Sequence, residues 1–153
     1  VPAARSDRAG LFKAGDEIIF YNAAAKQLAK IDIANAAVIA INVPDNIRPF
    51  KTALAYDNNV IALVGDNTLD LLDIGNGKIT NKDLGAAPVK NNDIFTSYAK
   101  NLYTFSATDN AIIRYRENEL ANPQPWLKED YNLAKTYDLL VDAQIYLLTD
   151  LSI

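Results

Sequence analysis

Asn59-Val60-Ile61-Ala62-Leu63-Val64-Gly65-Asp66-Asn67 is a short apolar run held between turn-forming residues, and its pattern comes back along the chain. It returns as Asn101-Leu102-Tyr103-Thr104-Phe105-Ser106-Ala107-Thr108-Asp109-Asn110, and again, unfinished, as Gln144-Ile145-Tyr146-Leu147-Leu148-Thr149-Asp150. Glu17-Ile18-Ile19-Phe20-Tyr21-Asn22 is an earlier echo. The first apolar residues of these segments, Ile18, Val60, Leu102 and Ile145, lie 42, 42 and 43 residues apart. A fixed period of about this length, built on short β segments, marks a repeat architecture whose commonest all-β unit is the four-stranded propeller blade.

The second unit carries the clearest punctuation. Strand A is Thr52 to Tyr56, strand B Val60 to Val64, strand C Leu69 to Ile74 and strand D Lys78 to Leu84, separated by Asp57-Asn58-Asn59, Gly65-Asp66-Asn67 and Gly75-Asn76-Gly77. Asn-Gly between two such runs is a hairpin signal, because both residues tolerate positive φ. The third unit repeats the plan with Ile94 to Tyr98, Leu102 to Ser106, Ala111 to Tyr115 and a fourth strand near Trp126-Leu127-Lys128. The first unit fits the plan less closely, with Phe12, Ile18 to Tyr21, Leu28 to Ile33 and Val38 to Val43, and the last begins with Tyr137 to Val141. Tyr56, Tyr98 and Val141 correspond across units in strand A, Leu69 and Ile112 in strand C, and Leu84 and Trp126 in strand D. Residues 23–31 are rich in strong helix formers, so propensity alone favours a helix there, but the repeat favours a strand.

Both alternating sets of residues in the B strands are apolar, as in Val60, Ala62 and Val64 against Ile61 and Leu63, or Ile145 and Leu147 against Tyr146 and Leu148. A strand with one wet face alternates apolar with polar. The B strands are therefore expected to be buried on both faces, between neighbouring blades. A β-sandwich is the second choice, since it does not require the repeat.

The bulk numbers bound the function. The 153 residues are 50% hydrophobic and 22% charged, with a net charge of −4 and a sequence pI near 4.7, a globular composition without the basic balance that phosphate binding needs. Cys, His and Met are absent. This excludes thiol and Ser–His nucleophiles, disulfides, and zinc, copper or iron sites held by imidazole or thiolate. The longest apolar run, Ala36 to Ile41, is far short of the roughly 18 to 20 residues of a membrane span. Residues 1–10 read as a linker or arm, and the absence of an initiator Met with the abrupt stop at Ile153 suggests a piece of a longer protein. The blades are placed at 11–51, 52–93, 94–136 and, in part, 137–153.

The motifs Asn101-Leu102-Tyr103-Thr104-Phe105, Asn110 to Tyr115, Pro123-Gln124-Pro125-Trp126-Leu127 and Leu139 to Leu148 give the chain a resemblance to bacterial β-propellers of the NHL or YncE-like kind. In particular it resembles the propeller that follows a PPM-type (PP2C-like) phosphatase-related region in proteins of uncultured bacteria. The resemblance implies a propeller and transfers no catalytic residue, since the phosphatase-like part and its Asp-Gly metal motifs have no counterpart here. The WD40, kelch and Asp-box signatures are missing as well.

Candidate sites come from the turns. Asp66-Asn67, Asp109-Asn110 and Asp150 recur after strand B, where side-chain oxygens on one face could ligate Ca²⁺ or simply serve as good turn formers. In a propeller the B-to-C turns and D-to-A connections share one end, which would also gather Asn46, Arg48, Asn91, Asn92 and Lys135 into a polar ring able to hold a peptide or glycan. Trp126 offers either an aromatic ligand anchor or a filler between blades. The ligand-binding candidates are Asp66, Asn67, Asp109, Asn110, Arg48 and Trp126, with no catalytic and no metal residue assigned and Ca²⁺ as the conceivable ion.

The expectation is an all-β propeller segment of four-stranded antiparallel blades forming an incomplete ring. Its leading role is a non-catalytic binding or scaffold domain of a bacterial surface, extracellular or signalling protein. It would engage a protein partner or a second copy through open blade faces, with no nucleic acid and no membrane span. The alternatives are a propeller lyase or glycan-active hydrolase using Asp or Glu, and a purely structural assembly protein.

Overall fold

The structure, a computed structural model, describes residues 9–85, 94–106, 110–126 and 136–149. Within them there are fourteen β-strands and no helix. The first blade pairs β1 (Ala9–Ala14), β2 (Glu17–Asn22), β3 (Gln27–Asp32) and β4 (Ala37–Ile41) in sequence order, each antiparallel to the next. The second does the same with β5 (Thr52–Asp57), β6 (Val60–Val64), β7 (Thr68–Asp73) and β8 (Ile79–Asp83). The third comprises β9 (Ile94–Tyr98), β10 (Asn101–Ser106), β11 (Ala111–Tyr115) and the short β12 (Gln124–Pro125), and β13 (Thr136–Asp142) pairs with β14 (Gln144–Thr149) in a two-stranded sheet. The first strands β1, β5, β9 and β13 contact one another in succession, so the sheets stack along one inner edge.

Where propensity favoured a helix, residues 23–26 form a turn and β3 starts at Gln27. Asn22 Oδ1 accepts from the Ala25 amide at 3.1 Å, and Lys26 closes the turn at φ 51°. Pairing of β3 with β2 and β4 outweighs the few tenths of a kcal/mol per residue that separate helix formers.

Three apolar clusters fill the three spaces between sheets. Ile19, Leu28, Ile61, Leu63 and Leu72 centre the first, Val64, Leu69, Leu84, Leu102 and Tyr115 the second, and Tyr103, Phe105, Ile112, Leu139 and Val141 the third. Cluster membership with the strand registers gives every blade a face toward the preceding blade and a face toward the following one. In the B strands the preceding-face residues are Ile18 and Phe20, Ile61 and Leu63, Leu102 and Thr104, Ile145 and Leu147; the following-face residues are each one position later.

This shifts the sequence alignment of the second unit by one. Ile61, not Val60, is the structural equivalent of Ile18, Leu102 and Ile145, because a bulge between Ala55 and Asp57 leaves Tyr56 outside the ladder and adds a residue before the turn. The strand A alignment fails for the same reason. Tyr56 is buried at the bulge, Tyr98 is exposed, and Val141, which pairs with Ile145, corresponds to Ala55 and Ser97. Leu69 and Ile112 do occupy matching positions in the second and third clusters, whereas Leu84 and Trp126 share only a face: Trp126 stands opposite Ile112, as Lys82 does opposite Leu69, and Leu84 lies two residues further on, opposite Asn67.

Burial of both faces holds for β6 and β10 and fails at the ends. Tyr146 and Leu148 of β14 are 49% and 63% exposed, and most of β2 is only half-buried, because no described blade covers their outer faces.

Candidate functional site

The connection from β4 to β5 folds over one end of the second blade and brings two of its polar residues onto the B-to-C turn. Lys51 donates its amide to the Val64 carbonyl at 2.6 Å, and its ammonium pairs with Asp66. A methyl group on Gly65 would sit 2.6 Å from the Pro49 carbonyl, so this close approach requires glycine in the turn. Asn67 accepts from the Leu84 amide at 2.9 Å through its backbone carbonyl, tying the end of β8 to the same turn.

Arg48 lies at the centre of this end. Its amide and Nε donate to the two carboxylate oxygens of Asp70 at 2.8 and 2.7 Å. Nη1 reaches Asp83 at 3.0 Å, and Nη2 reaches the Leu69 and Lys82 carbonyls at 3.2 and 2.6 Å. Asn81 Nδ2 adds a further bond to Asp70 Oδ1 at 2.7 Å. Asp70 is only 1% exposed, and an ionised carboxylate at such a depth persists only when paired and hydrogen-bonded. Burial works against the Arg48 charge, but the hydrogen bonds it donates to Asp70 and Asp83 outweigh it and hold the guanidinium above its ordinary pKa. Chemically the assembly is a strut, with its donors aimed at fixed protein acceptors.

The structure therefore brings together Arg48, Asp66 and Asn67. Asp66 and Asn67 are exposed, while Arg48 is turned inward to Asp70. Asn110 stands at the corresponding turn of the third blade with φ 49°, and Asp109 and Asp150 lie outside the described residues, as do Asn91, Asn92 and Lys135. Among the described residues no group of three acidic side chains could hold a metal ion. Trp126 packs at the third cluster, 4.6 Å between ring centroids from Tyr103, with the Arg114 guanidinium 5.7 Å over its ring.

Asp70 escaped the sequence reading although a signal was present. By register it occupies the position of Ala29 in the first blade and Ile113 in the third, so one charge replaces an apolar residue in a repeated slot. At the opposite end of the blades, Tyr56 donates its phenol to the Lys100 carbonyl at 2.5 Å, and burial, then Glu117 and Asp57, push its pKa up to about 12. Asp57 is held below the usual carboxylate range by the Asn58 amide and the Lys100 ammonium, 3.3 Å away.

The other conspicuous surfaces are the outer faces of the first and last sheets. Leu11 and Val38 are 63% and 70% exposed on one, and Leu140 and Leu148 are 57% and 63% exposed on the other. Leu140, Tyr146, Leu147 and Leu148 with Asp138 line a shallow hollow of about 250 Å³.

Four-stranded antiparallel sheets stacked along a common inner edge define a β-propeller architecture. The chain is similar in structure to virginiamycin B lyase from Staphylococcus aureus, with a TM-score of 0.61 at 14% identity over 91% of this chain and 47% of that one. It is also similar to a streptogramin B lyase, with a TM-score of 0.57 at 13% identity over 88% and 45%. The chain thus spans about half the length of the proteins it superimposes on, and the likeness is one of fold. No protein-family model and no curated protein sequence matches it.

Proposed function

We propose that this chain is a non-catalytic binding or scaffold module of the β-propeller class, acting through protein contacts made by its blade faces. The observation that carries the reading is the inward use of Arg48. The strongest charged assembly on the loop end spends its donors on Asp70, Asp83 and two carbonyls, where a catalytic or ligand-holding arginine would present them to a cleft. Lys51 is similarly engaged with Asp66. The large apolar surface at both ends of the stack, by contrast, has the character of an interaction surface. A bacterial surface or signalling protein containing a phosphatase-related region is a setting consistent with this role.

The structural neighbours make lyase chemistry the alternative worth testing directly. The chain has no imidazole, so any elimination would draw its base from carboxylate, lysine or tyrosine side chains, of which the exposed Asp66 on the loop end is the candidate to test. Incubation of the purified chain with virginiamycin B, followed by liquid chromatography with fragment-ion mass spectrometry for any new product, should show no conversion. Turnover that disappears in Asp66→Asn would overturn the scaffold reading.

A further inference from the structure

The Asn76-Gly77 pair in the turn between β7 and β8 does more than reverse the chain. Asn76 is the only asparagine of the sequence followed by glycine, and it is exposed. Such a pair carries its own chemistry, because a glycine amide nitrogen, with no side chain beside it, closes readily on the side-chain carbon of the asparagine before it. In the balanced step the Gly77 nitrogen gives its proton to a solvent base and bonds to Asn76 Cγ. The Cγ–Nδ2 bond breaks, and the departing nitrogen takes a proton from water and leaves as ammonia. Water then opens the succinimide ring at either carbonyl, leaving an aspartyl residue in a normal or an iso-linked backbone.

The folded turn holds each reacting group elsewhere. The Gly77 amide donates to the Asp73 carbonyl at 2.8 Å, so its proton is occupied. Asn76 Oδ1 accepts from the Lys78 amide at 2.8 Å and Nδ2 donates to Asp73 Oδ2 at 2.8 Å, which fastens the side-chain amide to Lys78 and Asp73. Asp73 Oδ1 takes the Gly75 and Asn76 amides at 2.9 and 3.3 Å, and the Asp73 amide closes the hairpin on the Lys78 carbonyl at 2.9 Å. Gly77 stands at φ 72° with nothing within 4 Å of where a Cβ would lie, so backbone conformation rather than lack of room calls for glycine here.

We infer that Asn76 is a modification site, a succinimide-forming asparagine that Asp73 keeps unreactive while the hairpin is closed and that converts when the turn opens. The conversion runs one way. Its product replaces the Nδ2 donor with a carboxylate facing that of Asp73, and like charges so close repel. The iso-linked product also adds a backbone atom inside the hydrogen-bonded turn. The hairpin then closes less well, and its second strand, β8, is the one whose Asn81 and Asp83 hold Asp70 and Arg48. Opening of the turn is thereby recorded as a lasting loosening beside the strut.

The test holds the purified chain at mildly alkaline pH, once folded and once unfolded in guanidinium chloride, and follows Asn76 by peptide mapping with mass spectrometry, which separates aspartyl and isoaspartyl products from the parent peptide. Conversion should run about tenfold slower in the folded chain, because it waits for local opening. Asp73→Asn keeps an acceptor for the Gly75 and Asn76 amides and removes the one for Nδ2. It should convert several-fold faster than the parent when folded, and at the parent's rate in guanidinium. Asn76→Asp should melt below the parent, and an equal melting temperature would remove the loosening. Equal rates in the folded and unfolded parent would overturn the inference, and so would a folded Asp73→Asn no faster than the parent. Should Asp73→Asn not fold, guanidinium below the unfolding transition takes its place: conversion in the parent should rise in step with hydrogen exchange at the Gly77 amide, and conversion indifferent to that exchange overturns the inference equally.

Discussion

β10 and β14 are the same strand of the same repeat, and the physical fate of their side chains is opposite. Phe105 and Leu148 occupy equivalent following-face positions, yet Phe105 is fully buried against Ile112, Trp126 and the β13–β14 sheet while Leu148 is 63% exposed. Two-sided apolarity in these strands is therefore a specification for a neighbour rather than a record of burial. Where a following sheet is described the specification is met, and where none is described the same residues lie at the surface of the described fold.

The largest test of that contrast is truncation at the matched pair. Phe105→Ala should cost about 3 to 5 kcal/mol in urea unfolding, the sum of lost transfer energy and the cavity left behind. Leu148→Ala should fall within about 0.5 kcal/mol of the parent. Similar losses at the two sites would break the comparison, since they would mean that Leu148 is covered within one chain.

A second contrast lies within the Arg48 strut. Asp70 and Asp83 bind the same guanidinium, but one carboxylate is 2% exposed and the other 79%. Removing a partner from a buried pair leaves an uncompensated charge, so Asp70→Ala should cost about 3 kcal/mol. Asp83→Ala should cost less than about 1 kcal/mol and lose even that at high salt. Thermal unfolding with and without 1 M salt, a concentration at which the Debye length is about 3 Å, distinguishes them.

These contrasts also locate what the sequence made legible. Period, turn residues and apolar runs pointed to β6, β9 and β11 at their observed bounds, because each is local information repeated several times. The one-residue shift at Val60 was hidden, since a bulge at Tyr56 changes phase without changing composition. The loop end was half legible. Grouping of Arg48 with Asp66 and Asn67 followed from blade topology, but the inward turn of Arg48 depends on a carboxylate 22 residues away in the chain, and only comparison of Asp70 with Ala29 and Ile113 would have exposed it. Exposure at Tyr146 and Leu148 was legible from the count of repeats, which leaves open blade faces, but not from the strand pattern itself, which encodes a partner surface irrespective of whether one is there.

The opposite end of the blades contrasts Tyr56 with Tyr98, one buried and bonded, the other exposed. The Tyr56 phenol has an ordinary value near 10 in the unfolded chain and about 12 in the folded one. Below pH 10 both states keep the proton and its contribution is fully present. As pH rises from about 10 to about 12 the unfolded state releases its proton first, so stability falls across that window. Tyr56→Phe should flatten this alkaline limb and cost about 1 kcal/mol at neutral pH by leaving the Lys100 carbonyl without its donor. Tyr98→Phe should leave the limb in place, and an unchanged limb in Tyr56→Phe would remove Tyr56 from the account.

The smallest effect is a gain, and it comes from comparing the first hairpin turns of successive blades. The first blade turns through Gly15 at φ 59°, which glycine adopts without strain. The third turns between Tyr98 and Asn101 through Ala99 and Lys100 at φ 48° and 61°, the geometry of a type I′ turn that favours Asn-Gly because a Cβ resists positive φ. Lys100 has compensations, since its carbonyl takes the Tyr56 phenol and its ammonium pairs with Asp57. Ala99 has no such side-chain role to offset its backbone strain. Ala99→Asn should therefore raise stability by about 0.5 to 1 kcal/mol in urea unfolding, while Lys100→Asn, which gains the same backbone relief but loses the Asp57 pair, should gain less. If Ala99→Asn destabilises instead, the turn is not the type I′ geometry that distinguishes the third blade from the first.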